Sequence, residues 1–321
     1  MEDSTESQYG MFWGEKLFPA KITKIPIIEN FLYENDVMCI KSKEGVGKSI
    51  LAQQLMFCLT SGTDFLDTYH IHRPYNVLWI QTEGDREETF ERIGNMQKGL
   101  KCDHTKWGHL FLSGASMNTP RGMKEVIKEA KKPGIIWDVV IIDPLYTTIQ
   151  GELTKDCIAS DWVRNVREMK GEFNSPAIIV LHHENKSFYH KGEEVDRKTG
   201  DVFGAFGWGA FFNTIYKLSM KGGIHTLKMG KDRGAKISKK IDMKLLEPKP
   251  LMFVVDELNL SLSKVSIEAY IRDNDSVTRG QIMKHITNTS ESSIDRAIRQ
   301  FKKNGTLETF TEDGQLFYKW K

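Results

Sequence analysis

Apolar residues in the first two-thirds of the chain gather in short runs rich in β-branched side chains. These are VMCIKS from Val37, NVLWIQT from Asn76, HLFLSG from His109, DVVIIDP from Asp138, AIIVLHH from Ala177 and IHTLKM from Ile224. Runs this continuously apolar read as strands buried on both faces, which is the mark of a mainly parallel sheet. Between them, SILAQQLMFCLTSG and REETFERIGNMQKGL carry apolar residues at helical spacing, Phe90, Ile93 and Leu100 among them. They read as crossover helices, so the predicted fold class is α/β, a sheet covered by helices.

The pattern changes from about residue 259, just after the break EPKP at 247–250, and the boundary is placed near 258. The expected organisation is an arm over 1–20, an α/β domain over 21–258 and a small domain over 259–321. In SESSIDRAIRQFKKNG, Ile294, Ala297, Ile298 and Phe301 form one buried stripe and leave Arg296, Arg299, Lys302 and Lys303 facing outward. TRGQIMKHI reads as a shorter amphipathic helix, and TLETFTEDGQLFYKW as two strands around a Glu-Asp-Gly turn. This succession resembles a winged helix-turn-helix.

Composition narrows the class without choosing a function. Of 321 residues, 40% are hydrophobic and 27% charged, and no apolar run nears the roughly 20 residues that a bilayer span needs. The opening MEDSTESQYGMFWGEK is acidic and polar, unlike a secretory signal, and a cytoplasmic location is expected. Cys39, Cys58, Cys102 and Cys157 lie far apart with no Cys-x-x-Cys pair, so they read as reduced core thiols. A net charge of +2 is neutral about nucleic acid, but the stretch from Lys231 to Lys249 holds seven basic residues against three acidic. The small domain is only weakly basic, with ten basic residues against eight acidic from Asn259 on.

The chemistry centres on KSKEGVGKSI, residues 41–50, which follows a strand and opens a helix as a phosphate-binding loop does. Gly47, Lys48 and Ser49 match the pattern Gly-x-x-x-x-Gly-Lys-Ser/Thr, but Ser42 holds the first glycine position and so requires an ordinary backbone angle there. The expected cradle for ATP is Glu44, Gly45, Val46, Gly47, Lys48, Ser49 and Ile50, with Ser49 a ligand of Mg²⁺. Asp143, delivered by the apolar run WDVVIIDP, is expected to hold the same Mg²⁺ through its water shell. Glu83, just past VLWIQT, is the candidate general base, with Asp85 its competitor and better suited to cap the next helix. Consecutive strand residues face opposite ways, so His182, His183 and Glu184 make a poor metal set; His70 and His72 share a face but lack further ligands.

Lys43 sits where the loops of ParA- and MinD-type dimeric ATPases carry a lysine. Those proteins continue with an Asp-x-Asp-Pro-Gln switch, whereas this chain reads QTEGDREE. Over roughly residues 20–235 it resembles more closely the RecA-like ATPases of plasmid RepA-type and DnaB-type helicases, with relatives among RadA and KaiC. The resemblance rests on EGVGKS, TEGDREETFERI, VVIIDPL, IVLHHENK and KMGKDRG. It implies Glu83 as catalytic base and His183 as the sensor of the γ-phosphate. It also implies Lys231 and Arg233 as fingers reaching a neighbouring subunit's site, in a homo-oligomer, most simply a hexamer. The segment from Glu184 to Phe212 would hold a channel loop, with Lys186, Lys191, Arg197 and Lys198 meeting single-stranded DNA. Arg296 and Arg299 would lie on a recognition helix for duplex DNA, unless that module docks a replication protein. The function implied is a replicative-type DNA helicase of a plasmid or phage. The alternatives are an ATP-switched DNA-binding regulator or initiator, and a recombination mediator forming filaments on DNA.

Overall fold

A computed structural model of the chain describes residues 24–100, 107–112, 116–184, 188–190, 193–195, 206–232, 240–246, 251–255, 267–286, 291–312 and 314–321. The expected arm over 1–20 lies outside them. The chain enters through a small hairpin, β1 (Pro26–Ile28) and β2 (Leu32–Tyr33), and then builds a nine-stranded sheet. Its strands in chain order are β3 (Val37–Ser42), β4 (Val77–Gln81), β5 (Trp107–Phe111), β6 (Val139–Asp143) and β7 (Ala177–His183), all parallel to one another. After a separate hairpin, β8 (Phe188–His190) and β9 (Glu193–Val195), come β10 (Thr214–Lys221), β11 (Ile224–Asp232), β12 (Lys240–Leu246) and β13 (Met252–Val255).

The spatial order is β13-β12-β11-β10-β3-β7-β6-β4-β5. Every pairing from β10 to β5 is parallel, and every pairing from β10 back to β13 is antiparallel. Helices α1 (Lys48–Ser61) and α2 (Arg86–Leu100) cover one face. They pack on Met38, Ile40, Val77, Trp79, Ile141 and Ile179. On the other face α3 (Pro120–Lys131), α4 (Asp156–Glu172) and α5 (Phe206–Phe211) pack on the alternate residues, among them Cys39, Ile80, Ile142 and Val180. Two-sided cover explains why β3, β4 and β6 are buried along their whole length.

A third core forms from residues of the C-terminal part alone, with Ile267, Ile282, Ile294, Phe301 and Tyr318 at its centre. Its elements are α6 (267–272), β14 (Val277–Thr278), α7 (Arg279–His285), α8 (Glu291–Lys303), β15 (Leu307–Glu312) and β16 (Gln315–Trp320). Thr278 and Gln281 close a reciprocal capping box at the start of α7. The stripe Ile294, Ala297, Ile298 and Phe301 is buried as its spacing predicts.

Several expectations need correction. The run at 224 is a strand, but an antiparallel one, and β10, β12 and β13 beside it have no counterpart in the pattern of apolar runs. Phe90 is not a core residue of α2; it is exposed and meets Phe111 and His109 edge-on at the free edge of the sheet. Cys39 and Cys58 are buried, and burial pushes the Cys39 thiol up to about 12, but Cys157 is exposed, while Cys102 lies outside the described residues. Among the described residues no helix is long and apolar enough to cross a membrane.

Candidate active site

The carboxyl ends of the central strands converge, as ligand sites in open α/β sheets do. Ser42 stands opposite His183, and Gln81 opposite Asp143, so β3, β7, β6 and β4 present these four residues along one edge. Between β3 and α1 the loop turns through Gly45 at φ +74° and Gly47 at φ +92°, left-handed conformations that a side chain would strain. A Cβ on Gly45 would meet nothing within 4 Å, whereas one on Gly47 would lie 3.0 Å from the Phe253 ring. Ser42 is not among the residues with positive φ, and its buried hydroxyl donates to the Lys43 carbonyl at 2.8 Å. Glycine is therefore not required at the front of this loop, and Lys43 points outward in an exposed position.

Lys48 is the first residue of α1 and is only 6% exposed, at the positive end of the helix. Asp143 ends β6 in near-complete burial, which raises its pKa; the Lys48 ammonium and a hydrogen bond with Ser49 pull it back. The loop thus opens beside a lysine, a hydroxyl and a carboxylate that already bond to one another. This donor set fits a hard divalent cation that keeps most of its water. Mg²⁺ held by Ser49 and Asp143 would neutralise charge on the terminal phosphates.

β4 delivers the third group. After Gln81 the chain turns through Gly84 at φ +90°, and Asp85 accepts from the Glu87 and Glu88 amides at 2.7 and 3.1 Å, capping α2. Asp85 is thereby committed to the helix, and Glu83 is left at the mouth of a cavity of about 140 Å³ lined by Ser49, Gln53, Gln81, Arg92 and Asp143. The Glu83 carboxylate accepts a hydrogen bond from Tyr146 at 2.7 Å. Tyr146 opens the 3₁₀ turn Tyr146–Thr148 behind β6, and its ring meets the His183 ring edge-on at 5.2 Å. Burial and the nearby Lys48 hold His183 below the usual imidazole range, against an opposing pull from Glu83 and Glu44.

Two residues of this site escaped the sequence reading. Tyr146 lies three positions after Asp143, in DPLYTT, and Gln81 is the lone polar side chain of VLWIQ. The Gln81 amide donates to the Glu83 carbonyl at 2.6 Å and to Thr89 at 2.9 Å, and its oxygen pairs with His109 at 2.8 Å. A polar residue at the end of a buried strand is the signal that could have found it.

The remaining predicted residues divide. His182 turns to the face opposite His183, and Glu184 lies between Lys41 at 3.0 Å and Lys217 at 3.3 Å. Lys231 on β11 donates from its ammonium to the Gly209 carbonyl of its own chain. Arg233, Lys186, Lys191, Arg197 and Lys198 lie outside the described residues. His70 and His72 do share a face, where Asp64 and Glu29 hold them at 2.9 and 3.4 Å. Arg296 departs from the outward position expected of it: its side chain is 18% exposed and turned toward Asp67 at 3.6 Å. Its Nη1 is buried without a hydrogen-bond partner among the described residues. Arg299 is exposed and lines, with Glu29, Asn30 and Lys302, a cleft of about 280 Å³ between α8 and the hairpin end of the sheet domain.

Fold and site together define a P-loop nucleoside-triphosphatase core with a RecA-like sheet. The chain belongs to the AAA domain family (AAA_25), which matches residues 15–187. Among solved structures it is similar to the ATPase domain of a DnaB-like helicase, at 13% identity over 70% of this chain and 86% of that one, with a TM-score of 0.51. It is also similar to the flagellar accessory protein FlaH from Methanocaldococcus jannaschii, at 18% identity over 70% and 90% of the two chains, with a TM-score of 0.43. No curated protein matches it.

Proposed function

We propose that the chain is an ATP-hydrolysing motor on nucleic acid, working as a homo-oligomer in the manner of a replicative DNA helicase. One observation carries this reading. β7 lies between the phosphate-loop strand β3 and the Asp143 strand β6, ends at the site in His183, and runs on into residues 185–205. A strand so placed lets the state of the phosphates bear on the segment that follows it. In this reading the loop amides and Lys48 hold the phosphates, and Glu83 takes a proton from the attacking water. His183, held neutral, reports through β7 to Lys186, Lys191, Arg197 and Lys198 on single-stranded DNA. Lys231 and Arg233 complete a neighbouring subunit's site once assembly draws Lys231 from its own Gly209, and the C-terminal module is a winged helix.

The test is ATP hydrolysis with and without single-stranded DNA, followed by strand displacement from a forked duplex. Stimulation with displacement supports the motor. Stimulation without displacement points to a filament former. Hydrolysis indifferent to single strands removes both.

A second reading, a DNA-binding regulator switched by ATP, draws on the contact of Arg296 with Asp67. A basic helix leaning on the ATPase domain is suited to release on nucleotide binding. Duplex affinity that changes with ATP, and survives when hydrolysis is blocked, would favour it.

A further inference from the structure

Tyr146 touches both Glu83 and His183. Its hydroxyl donates to the Glu83 carboxylate at 2.7 Å, and its ring lies edge-on to His183 with centroids 5.2 Å apart. The turn behind it is anchored: Thr148 donates to the Leu145 carbonyl at 2.6 Å and accepts from Trp162 at 2.9 Å, and Thr147 pairs with Thr82. Tyr146 itself is 36% exposed, so its ring is the part of the turn with room to move. Burial and the Glu83 carboxylate push the phenol well above its usual range, so the hydroxyl keeps its proton and remains a donor.

A phenol bonded to a carboxylate favours the charged form and makes it a weaker base, and it also fixes where the carboxylate points. Both effects oppose the work assigned to Glu83. That work is a single proton transfer: the water oxygen bonds to the γ-phosphorus as its proton passes to Glu83, and the bond from phosphorus to the bridging oxygen breaks with its electron pair leaving on ADP. The Tyr146 proton takes no part.

We propose that Tyr146 is a positioning residue that latches Glu83 until His183 moves. The inference rests on the reading of Glu83 as general base. While the latch is closed, Glu83 is held away from water. When residues beyond His183 engage nucleic acid, β7 carries His183 against the Tyr146 ring, the ring turns and the carboxylate is freed. The latch thus makes hydrolysis wait for the nucleic acid, using contacts within one subunit.

Tyr146→Phe keeps the ring and removes only the donor. Steady-state hydrolysis without DNA should rise roughly tenfold, the equivalent of one hydrogen bond to a charged group. The KM for ATP should stay within about twofold, because Tyr146 does not contribute to the phosphate cradle. Stimulation by single-stranded DNA should shrink correspondingly. An unchanged or lower rate without DNA overturns the latch. Glu83→Gln, made alone and with Tyr146→Phe, separates the two ideas. If both are inactive, the added rate of Tyr146→Phe runs through Glu83. If Glu83→Gln alone hydrolyses ATP like the parent chain, the reading of Glu83 as base fails, and the latch with it. If Glu83→Gln is inactive but Tyr146→Phe gains nothing, only the latch fails.

Discussion

The two halves of the nine-stranded sheet divide the labour. In the parallel half, β3, β7, β6 and β4 end side by side and place the phosphate loop, His183, Asp143 and Glu83 along one edge. The antiparallel half adds none of these groups and instead braces the loop. Phe253 on β13 stands against Gly47, and its backbone amide and carbonyl are paired at 2.7 and 2.8 Å with the side-chain amide of Gln54 in α1. Gln54 thus does for the edge of β13 what a further strand would do, closing off unpaired backbone groups. The comparison teaches that chemistry and support are separable here, so substitutions in the two halves should leave different signatures.

Glu83→Gln should have the largest effect, lowering kcat by roughly 10²–10⁴-fold with thermal stability unchanged, as measured by steady-state hydrolysis and a melting curve. Lys48→Ala should cost roughly 10²–10³-fold, while Lys43→Ala, one turn of chain away and exposed, should stay within about twofold of the parent. Equal losses at the two lysines would break the division by making the loop's front part of the chemistry. Gln54→Ala tests the supporting half. It orphans the Phe253 backbone groups and should destabilise the fold by about 2 kcal/mol in a denaturant titration, raising the KM for ATP more than it lowers kcat. A lower kcat with an unchanged KM would count against a bracing role.

The smallest expected effect concerns His109, whose pKa burial and Arg86 push down to about 4 from an ordinary 6.5. Between these values the unfolded chain binds a proton that the folded chain does not. The contribution of His109 is therefore complete above pH 6.5 and is lost as the pH falls toward about 4. His109→Phe should flatten the dependence of melting temperature on pH across that window, whatever it does at higher pH. An unaltered slope would show that the imidazole is not the group responsible.

The same division decided what could be read from the sequence. β3, β4, β6 and β7 are buried on both faces, and each stands out as an unbroken apolar run. β10, β12 and β13 alternate buried and accessible positions, as antiparallel strands do, and the charged segment around Lys240 and Lys244 disguised β12 as a basic patch. Lys48, Asp143 and Glu83 were legible because each sits at a fixed offset from a strand end. Tyr146 and Phe253 were not: one acts through a hydrogen bond to a residue 63 positions earlier, and the other through a strand whose pairing no local pattern reveals. Arg296 was misjudged because helical spacing tells which side faces the local core, and says nothing of a second domain waiting on the other side.

The contact between Gln54 and Phe253 joins residues 199 positions apart. During synthesis the loop and α1 are complete early, yet the ring that walls Gly47 and the backbone that satisfies Gln54 do not exist until the last strand of the sheet has been made. The part of the chain that announces itself first in the sequence is therefore among the last to be finished. A nascent or truncated chain ending before Met252 would carry the whole phosphate-loop motif without the wall it closes against, and ATP would find a firm seat only on a chain already committed to its complete sheet.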